Sequence, residues 1–151
     1  MKGRSTLTNL LVTLQCWTSI LEEGSGLDVI YLDYKKAFDT VPHHKLMQKL
    51  KGLKLGETLT KWIDQFLLGR QMRVHINGSF SNWIDVLSGV PQGSVLGPLL
   101  FFIFVSDLPD LVKCSLMMFA DDTKIWTKIK DIDDSEFLQQ DLNLLMEWSK
   151  K

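Results

Sequence analysis

A two-residue turn signal in the middle of the chain constrains its fold more than any other feature. Asn77-Gly78 stands between two runs rich in β-forming residues, 71–76 and 81–87. This dipeptide readily adopts the positive φ angles of a tight hairpin turn, so the two runs are predicted to pair as antiparallel strands. The fold should therefore contain at least one locally connected antiparallel sheet.

Helical and strand patterns follow one another along the rest of the chain. The predicted helices cover residues 6–23, 42–52, 57–68, 98–108 and a C-terminal segment capped by Asp133 or Asp134. The remaining predicted strands cover residues 27–33, 114–120 and 123–129. A mixture of helices and hairpin-connected strands predicts the α+β class.

The composition is that of an ordinary globular protein. The chain has 151 residues, of which 45 % are apolar and 23 % charged, with a net charge of −1. This length suits one domain, and the near-neutral charge carries no basic imprint of phosphate binding. Two cysteines do not build a disulfide framework, and no apolar run approaches the ~20 residues that span a bilayer. With no signal-peptide pattern at the start, we expect a protein of the nucleus or cytoplasm that is not secreted.

Three acidic residues stand at the ends of predicted strands. Asp33 ends a largely apolar strand, whereas Asp121 and Asp122 follow the wholly apolar run 116–120, which we expect to be buried on both faces. Each acid alone fits an ordinary turn, because Asp is a favoured turn residue. If the strands are neighbours in one sheet, the three carboxylates converge. Hard oxygen ligands of this kind suit Mg²⁺, and two such ions can stabilise a phosphoryl transfer.

A glycine-rich segment, residues 88–98, precedes the helix predicted to begin at Pro98. Its glycines allow a close backbone approach to a ligand, and the helix start offers free N–H groups to an anion. The same residues also suit a tight strand-to-helix connection. Gln92 has no evident packing role between a proline and a glycine, which favours the functional interpretation.

These segments together resemble a known family. Residues 31–43 resemble the first palm motif of the reverse transcriptases of jockey-like and related LINE elements, which are non-LTR retrotransposons. Residues 88–98 are similar to their second motif, and 119–122 to their third. Residues 3–10 are similar to the segment before the first motif, and 138–149 to the helix after the third. The resemblance covers nearly the whole chain in the family's order.

The resemblance implies roles for the acidic residues and their neighbours. Asp33 and Asp121 are expected to hold two Mg²⁺ ions, for which Mn²⁺ can substitute, with Asp122 assisting. The backbone carbonyl of Tyr34 is implied as a further ligand. Phe38 is implied as a steric gate that excludes a ribose 2′-hydroxyl, although without the family it reads as a core aromatic.

The remaining implied roles concern the substrates. Gln92 and Gly93 are expected to line the incoming nucleotide and the templating base, and Phe119 and Ala120 to contact the primer end. The partners implied are an RNA template, a DNA primer and deoxynucleoside triphosphates, with no membrane.

The resemblance also implies an architecture, a polymerase palm with part of the fingers. Residues 1–26 are expected to form a fingers-proximal helix and 27–151 the palm. The palm is expected to be an antiparallel sheet with helices packed on one face, ferredoxin-like and lacking its last strand. Further fingers, the thumb and an endonuclease are expected in other polymerase segments or in another subunit.

Two other interpretations remain open. A catalytically inactive retrotransposon remnant, or a binding module repurposed from one, would carry the same motifs without activity. An unrelated Mg²⁺-dependent phosphotransferase would require the order of the motifs to be a coincidence.

Overall fold

A computed structural model describes residues 6–150, so residues 3–5 of the segment before the first motif lie outside the described range. Contacts divide the chain into two compact units. Among the described residues, one unit contains 6–34 and 107–150, and the other is Lys35–Ser106. The α+β class is confirmed. In chain order the elements are α1 (Thr6–Glu22), β1 (Gly26–Leu32), α2 (His43–Gly52), α3 (Glu57–Leu67), β2 (Gln71–Met72), β3 (His75–Ile76), β4 (Ser79–Phe80), β5 (Ile84–Asp85), α4 (Leu96–Val105), α5 (Leu108–Leu111), β6 (Ser115–Phe119), β7 (Asp122–Ile129) and α6 (Ile132–Ser149).

The first unit is built on a three-stranded antiparallel sheet in the order β1-β7-β6. The central strand β7 pairs with β1 up to Leu32 opposite Thr123, and with β6 up to Phe119 opposite Asp122. Ile125, in the middle of β7, is fully buried. The sheet therefore places the end of β1 beside the start of β7.

Helices α1 and α6 pack on opposite faces of this sheet, and of the two only α6 lies in the range 27–151 that was predicted as the palm. Side chains alternate along β7, so Trp126 and Thr127 point to opposite sides. Trp126 meets Trp17 of α1 edge to face at 6.0 Å. Thr127, in contrast, lines a cavity with Phe137 and Leu144 of α6. The apolar residues on each face thus pack against a different helix.

Strand β6 is less buried than its apolar sequence predicted. Ser115 and Phe119 are exposed, and the three residues between them are half-buried. The reason is that β6 is an edge strand, with β7 on one side only among the described residues. The expectation of burial on both faces was therefore wrong.

The second unit packs α2 against α3 and α4. Leu46 and Leu50 of α2, Leu67 of α3 and Leu100 of α4 are completely buried. Helix α4 begins at Leu96, two residues before Pro98, where the prediction had placed the first helical residue. Pro98 is still tolerated because the N–H groups of the first helical turn have no intrahelical partner. The helix also ends earlier than predicted, at Val105, and the short helix α5 follows it in the chain.

The predicted hairpin at Asn77-Gly78 is confirmed, but its strands are interrupted. Both turn residues have positive φ angles, 48° and 82°. Only two residues pair on each side of the turn, in β3 and β4, and a second pairing of the same length joins β2 and β5. The strand predicted over 71–76 is therefore reduced to β2 and β3 and the one predicted over 81–87 to β5, while β4 lies just before the second range.

The last helix is capped by a different residue from those predicted. Asp131, rather than Asp133 or Asp134, is the N-cap, and its side chain accepts a hydrogen bond from the backbone of Asp134. The Asp134 carboxylate in turn accepts from the backbone N–H of Asp131, which completes a capping box. Across residues 6–150, no helix combines the length and apolarity needed to cross a membrane.

Candidate active site at the turn between β6 and β7

The turn between β6 and β7 carries two of the three predicted site acids. Ala120 and Asp121 connect the strands, and Phe119 pairs with Asp122 across the turn. Ala120 has a φ of 54°, in the left-handed region, which costs an alanine roughly 1–2 kcal/mol. A strained non-glycine residue beside two acids is a feature often found at functional sites.

The third acid is brought next to this turn by the strand register. Leu32 is the last paired residue of β1 and lies opposite Thr123. Asp33 follows Leu32, and Asp122 precedes Thr123, so these two acids are adjacent at the end of neighbouring antiparallel strands. Residues directly opposite each other point to the same face of a sheet. The structure therefore brings Asp33 and Asp122 together.

The two acids share a cleft beside the N-terminal half of α1. The cleft has a volume of about 360 Å³ and is lined by Asp33 and Asp122, with Asn9 of α1 on its wall. Asn9 is itself tied to β6, because its side-chain amide donates to the carbonyl of Met118 at 3.2 Å. Asp121 is half-exposed and does not line the cleft. The predicted trio is thus two acids in the cleft and one in the turn.

These carboxylates have no structural bonding task within the described part of the chain. The side-chain carboxylates of Asp33, Asp121 and Asp122 form no hydrogen bond or ion pair with residues 6–150. The nearest cation in sequence, Lys124, also lines the cleft, but its ammonium lies over the Trp17 ring at 5.7 Å. Adjacent like charges on neighbouring strands are destabilising unless a cation or solvent offsets them.

The donor set of this cleft fits a divalent cation only in part. Carboxylate oxygens exposed to solvent are the ligands that Mg²⁺ prefers, and the cleft leaves room for water and phosphate oxygens. Among residues 6–150, however, no group of three or more His, Cys, Asp or Glu side chains is arranged to hold a metal ion. Two of the three acids are adjacent, and the third is one residue away in the turn.

Tyr34 anchors the chain just after Asp33. Its ring meets Trp148 of α6 at 6.2 Å, edge to face. Its hydroxyl is buried beside Thr123 without a hydrogen bond of ordinary geometry, and burial raises the pKa of Tyr34. The side chain therefore remains neutral and packs as a core group, which leaves its backbone carbonyl as the atom relevant to the predicted ligand role.

In the second unit, Phe38 lies against another aromatic ring. It is half-buried and stacks on Phe101 of α4, with ring centroids 4.4 Å apart and planes 28° apart. The backbone carbonyl of Phe38 accepts from the N–H of Val90 at 2.8 Å. Phe38 thus has the packing role of a core aromatic.

Gln92 also has a partner that the sequence did not suggest. Its side-chain amide donates to a carboxylate oxygen of Asp39 at 2.6 Å. Ser88 donates its hydroxyl to the backbone carbonyl of Asp39 at 2.8 Å. Asp39 therefore ties the first motif to the second. The two residues are separated by 53 positions in the chain, and no spacing pattern linked them.

The glycines of residues 88–98 divide into two kinds. A Cβ on Gly89 would lie 2.7 Å from the carbonyl oxygen of Asp39, and one on Gly97 would lie 2.5 Å from that of Pro91. Both glycines therefore serve the tight connection within the protein itself. Gly93 has a φ of 79° and open space around it. Gly93 alone remains available for a close approach by a ligand.

A buried histidine fixes the start of this loop and was missed by sequence reasoning. One ring nitrogen of His43, Nε2, lies 2.8 Å from the carbonyl oxygen of Gly89. The Arg70 guanidinium donates to the same oxygen at 2.9 Å, and burial lowers the pKa of Arg70. The sequence signal was present, since His43 is part of residues 31–43, but it did not indicate a partner.

Comparisons with known proteins agree with the motifs. A family model described as reverse transcriptase (RNA-dependent DNA polymerase) matches residues 2–151. An RNA-directed DNA polymerase from the mobile element jockey of Drosophila funebris is 37 % identical over 87 % of this chain and 15 % of its own length. Its counterpart from Drosophila melanogaster is 36 % identical over 80 % of this chain and 14 % of its own length. A probable RNA-directed DNA polymerase from transposon BS of Drosophila melanogaster is 32 % identical over 99 % of this chain and 17 % of its own length.

The chain spans less than a fifth of the length of these curated relatives. The likeness to jockey-like elements that the motifs predicted is confirmed by the same relatives. Because the family model matches nearly every residue, the chain belongs to the reverse transcriptase (RNA-dependent DNA polymerase) family.

Proposed function

We propose that this chain is the palm portion of an RNA-directed DNA polymerase of a non-LTR retrotransposon, and that it uses two divalent cations in template-directed nucleotidyl transfer. One observation carries the proposal. The strand register sets Asp33 beside Asp122 on one face of the sheet, with Asp121 in the adjoining turn. Asp33 is thereby grouped at one end of the sheet with two acids that lie almost 90 residues further along the chain.

The architecture supports the assignment to a palm. The sheet β1-β7-β6 is antiparallel, and its hairpin carries the paired acids, as the third motif of the family requires. The chain order of one strand, intervening helices, a hairpin and a final helix follows a β-α-β-β-α pattern in outline.

The acids are proposed to hold Mg²⁺, with Mn²⁺ as a substitute. Asp33 and Asp121 would hold both ions, Asp122 would assist, and the Tyr34 carbonyl would add a ligand. When bound, the cations stabilise negative charge on the attacking and leaving oxygens of the transferred phosphoryl group. The acids have no bonding partner among residues 6–150, so their oxygens are free for this task.

The aromatic and glutamine residues of the second unit are proposed to select the substrate. Stacking on Phe101 holds the Phe38 ring in place, and a rigid ring discriminates by repulsion against a 2′-hydroxyl. The Gln92 amide, fixed by Asp39, and the open Gly93 would line the incoming nucleotide and templating base.

The turn residues are proposed to contact the primer. Phe119 is half-exposed at the end of β6, and Ala120 follows it in a strained conformation. The partners would then be an RNA template, a DNA primer and deoxynucleoside triphosphates. A polymerase of this kind acts in the nucleus or cytoplasm, which is the location that we propose.

Asp121→Asn is the central test, because it removes the charge at the turn without changing the size of the side chain. Primer extension on an RNA template with Mg²⁺ should fall by orders of magnitude. Asp133→Asn, an exposed acid of α6 outside the site, provides the matched control. In parallel, Mn²⁺ binding followed by electron paramagnetic resonance should weaken in the variants at positions 33 and 121 and remain unchanged in the control.

Two results would contradict the proposal. Equal Mn²⁺ binding by the wild type and Asp121→Asn would contradict the proposed role of Asp121 as a metal ligand. Metal binding with no extension above the Asp121→Asn background would favour a catalytically inactive remnant, in which the site persists without turnover.

A further inference from the structure

The hairpin that follows α3 carries an extra residue in its second strand. Between the pairs Met72–Ile84 and His75–Phe80, the first strand has two residues and the second has three, 81–83. Val74 accepts from the backbone N–H of Ser81, and Arg73 contacts the Trp83 ring, so the extra residue is Asn82. This is a β-bulge, which changes the face to which the following side chains point. Its effect is to place Trp83, rather than Asn82, opposite Arg73.

The bulge assembles a row of planar groups on one face of the hairpin. The guanidinium of Arg73 lies 4.5 Å from the Trp83 ring centre and 3.8 Å from that of Phe80. Phe80 in turn stacks on His75, with centroids 4.2 Å apart and planes 18° apart. An indole, a guanidinium, a phenyl ring and an imidazole thus follow one another in a single row, which we call the planar row.

The planar row is open to solvent. Every residue from 71 to 85 is exposed, and Phe80 and Trp83 expose 54 % and 57 % of their surface. Arg73 makes no hydrogen bond or ion pair within residues 6–150, so the N–H groups at the rim of its guanidinium remain available. The acid at the end of the row, Asp85, accepts a hydrogen bond from Gln71 at 2.7 Å. The row therefore offers stacking surfaces and free cationic donors together.

We propose that the planar row binds single-stranded RNA, and this inference rests on the proposed function, which supplies an RNA template. Exposed aromatic rings stack on unpaired bases of any sequence, and an arginine between rings can reach a neighbouring phosphate. A duplex keeps its base faces covered, so this chemistry selects an unpaired strand. The row would hold template by stacking rather than by reading its sequence.

Charge and shape favour a nucleic acid over a protein partner at this face. The row contributes the guanidinium cation of Arg73, which complements a polyanion. The opposite face of the same hairpin is different, because Met72, Val74 and Ile84 make it apolar. A protein surface fits that apolar face better, and stacked planar groups with unsatisfied donors fit bases and phosphates better.

The test measures RNA binding without polymerisation. Fluorescence anisotropy of a labelled oligouridine is followed with the full chain in EDTA, so that no metal or nucleotide is required. Trp83→Ala should weaken binding by roughly 5- to 150-fold, the range found when a base-stacking aromatic is removed. Trp62→Ala is the matched control, since Trp62 is 53 % exposed and also stacked, on Phe66 of α3. Trp83→Phe should retain most of the affinity because it keeps a stacking ring.

A second variant tests the cation. Arg73→Gln should weaken binding and reduce the slope of log affinity against log salt by roughly one, as expected for one lost phosphate contact. Circular dichroism and thermal melting of each variant show whether the hairpin change has altered the fold. The Phe variant separates loss of stacking from loss of structure, because only a ring-dependent contact is rescued by phenylalanine.

Several outcomes would overturn the inference. The first is that the wild type does not bind RNA, and the second is that Trp83→Ala and Trp62→Ala bind RNA with equal affinity. The third is that Trp83→Ala changes only the self-association of the chain, which would indicate a protein interface. Failure of the proposed function would give a different result. The wild type would then bind RNA but would lack metal binding or primer extension. Asp133→Asn, which changes an exposed acid of α6 outside both the candidate site and the planar row, should leave oligouridine affinity unchanged.

Discussion

Asp141 is a buried carboxylate whose removal should loosen the strand that leads into the candidate site. It lies on α6, is 3 % exposed, and one of its oxygens accepts hydrogen bonds from two backbone N–H groups. The donors are Lys113 at 2.8 Å and Cys114 at 2.7 Å, immediately before β6. The carboxylate therefore fixes where β6 begins, and β6 ends at the turn that carries Asp121.

The expected cost follows from the two donors. Asp141→Ala leaves both without a partner, and each buried orphan costs about 1–3 kcal/mol. Lys113 is exposed, so water can satisfy part of its loss, whereas Cys114 is half-buried. We expect Asp141→Ala to lower the free energy of unfolding by about 3 kcal/mol, which lowers the melting temperature of a chain of this size by roughly 6–12 °C. Asp141→Asn keeps an accepting oxygen and loses the charge, so it should cost only about 1–2 kcal/mol.

Urea denaturation followed by tryptophan fluorescence measures these differences. Trp17, Trp126 and Trp148 all lie in the unit that contains Asp141. Glu136→Ala is the control, because it removes an exposed acid from the same helix. The wild type and the control should be the most stable, Asp141→Asn should be less stable, and Asp141→Ala should be the least stable. If the free energy of unfolding of Asp141→Ala lies within about 0.5 kcal/mol of that of the control, the two backbone hydrogen bonds do not stabilise β6.

Two further predictions use paired positions within the chain. Gly93→Ala should lower the free energy of unfolding by roughly 1–2 kcal/mol, which is the cost of an alanine in the left-handed region. Gly89→Ala should lower it further, because its Cβ would also collide with the Asp39 carbonyl. Equal melting temperatures of the two variants would contradict this prediction. Burial, reinforced by Asp141, raises the pKa of Cys114 to about 11, so at pH 8 about one thiol in a thousand is ionised there. Exposed Cys16 should therefore react first with a thiol reagent, as peptide mapping by mass spectrometry can show, and faster modification of Cys114 would refute the assignment.

The elements that the sequence predicted well are those with a strong period or an unambiguous turn. Helices α1 and α3 and strands β1, β6 and β7 agree with prediction to within one or two residues, because their apolar residues repeat at helical or strand spacing. The hairpin turn was equally clear. Where several residues fit one role, prediction failed: three acids near the start of α6 could each cap it, and the capping-box spacing of Asp131 and Asp134 distinguishes the correct one.

The contacts that the sequence did not reveal share one physical feature. Asp39, His43 and Asp141 are polar residues whose side chains bond to backbone or amide groups distant in the chain. Pattern analysis treats such residues as solvent-facing, since it has no information on which loop lies nearby. The interrupted hairpin strands have a similar origin, because the bulge at Asn82 depends on pairing across the turn and leaves no local signature.

The same contrast separates structural carboxylates from those of the candidate site. Asp131, Asp134 and Asp141 each accept from backbone N–H groups, and their presence is accounted for by the stability they provide. Asp33 and Asp122 lie side by side with like charges, and their carboxylates form no hydrogen bond or ion pair within residues 6–150. Stability alone gives no reason for such a pair at the end of a sheet. The proposed metal role requires an arrangement of charges that destabilises the fold when no cation is bound. Replacing either acid by asparagine should therefore stabilise the fold in the absence of metal. The same replacement should remove the stabilisation of the fold by Mn²⁺.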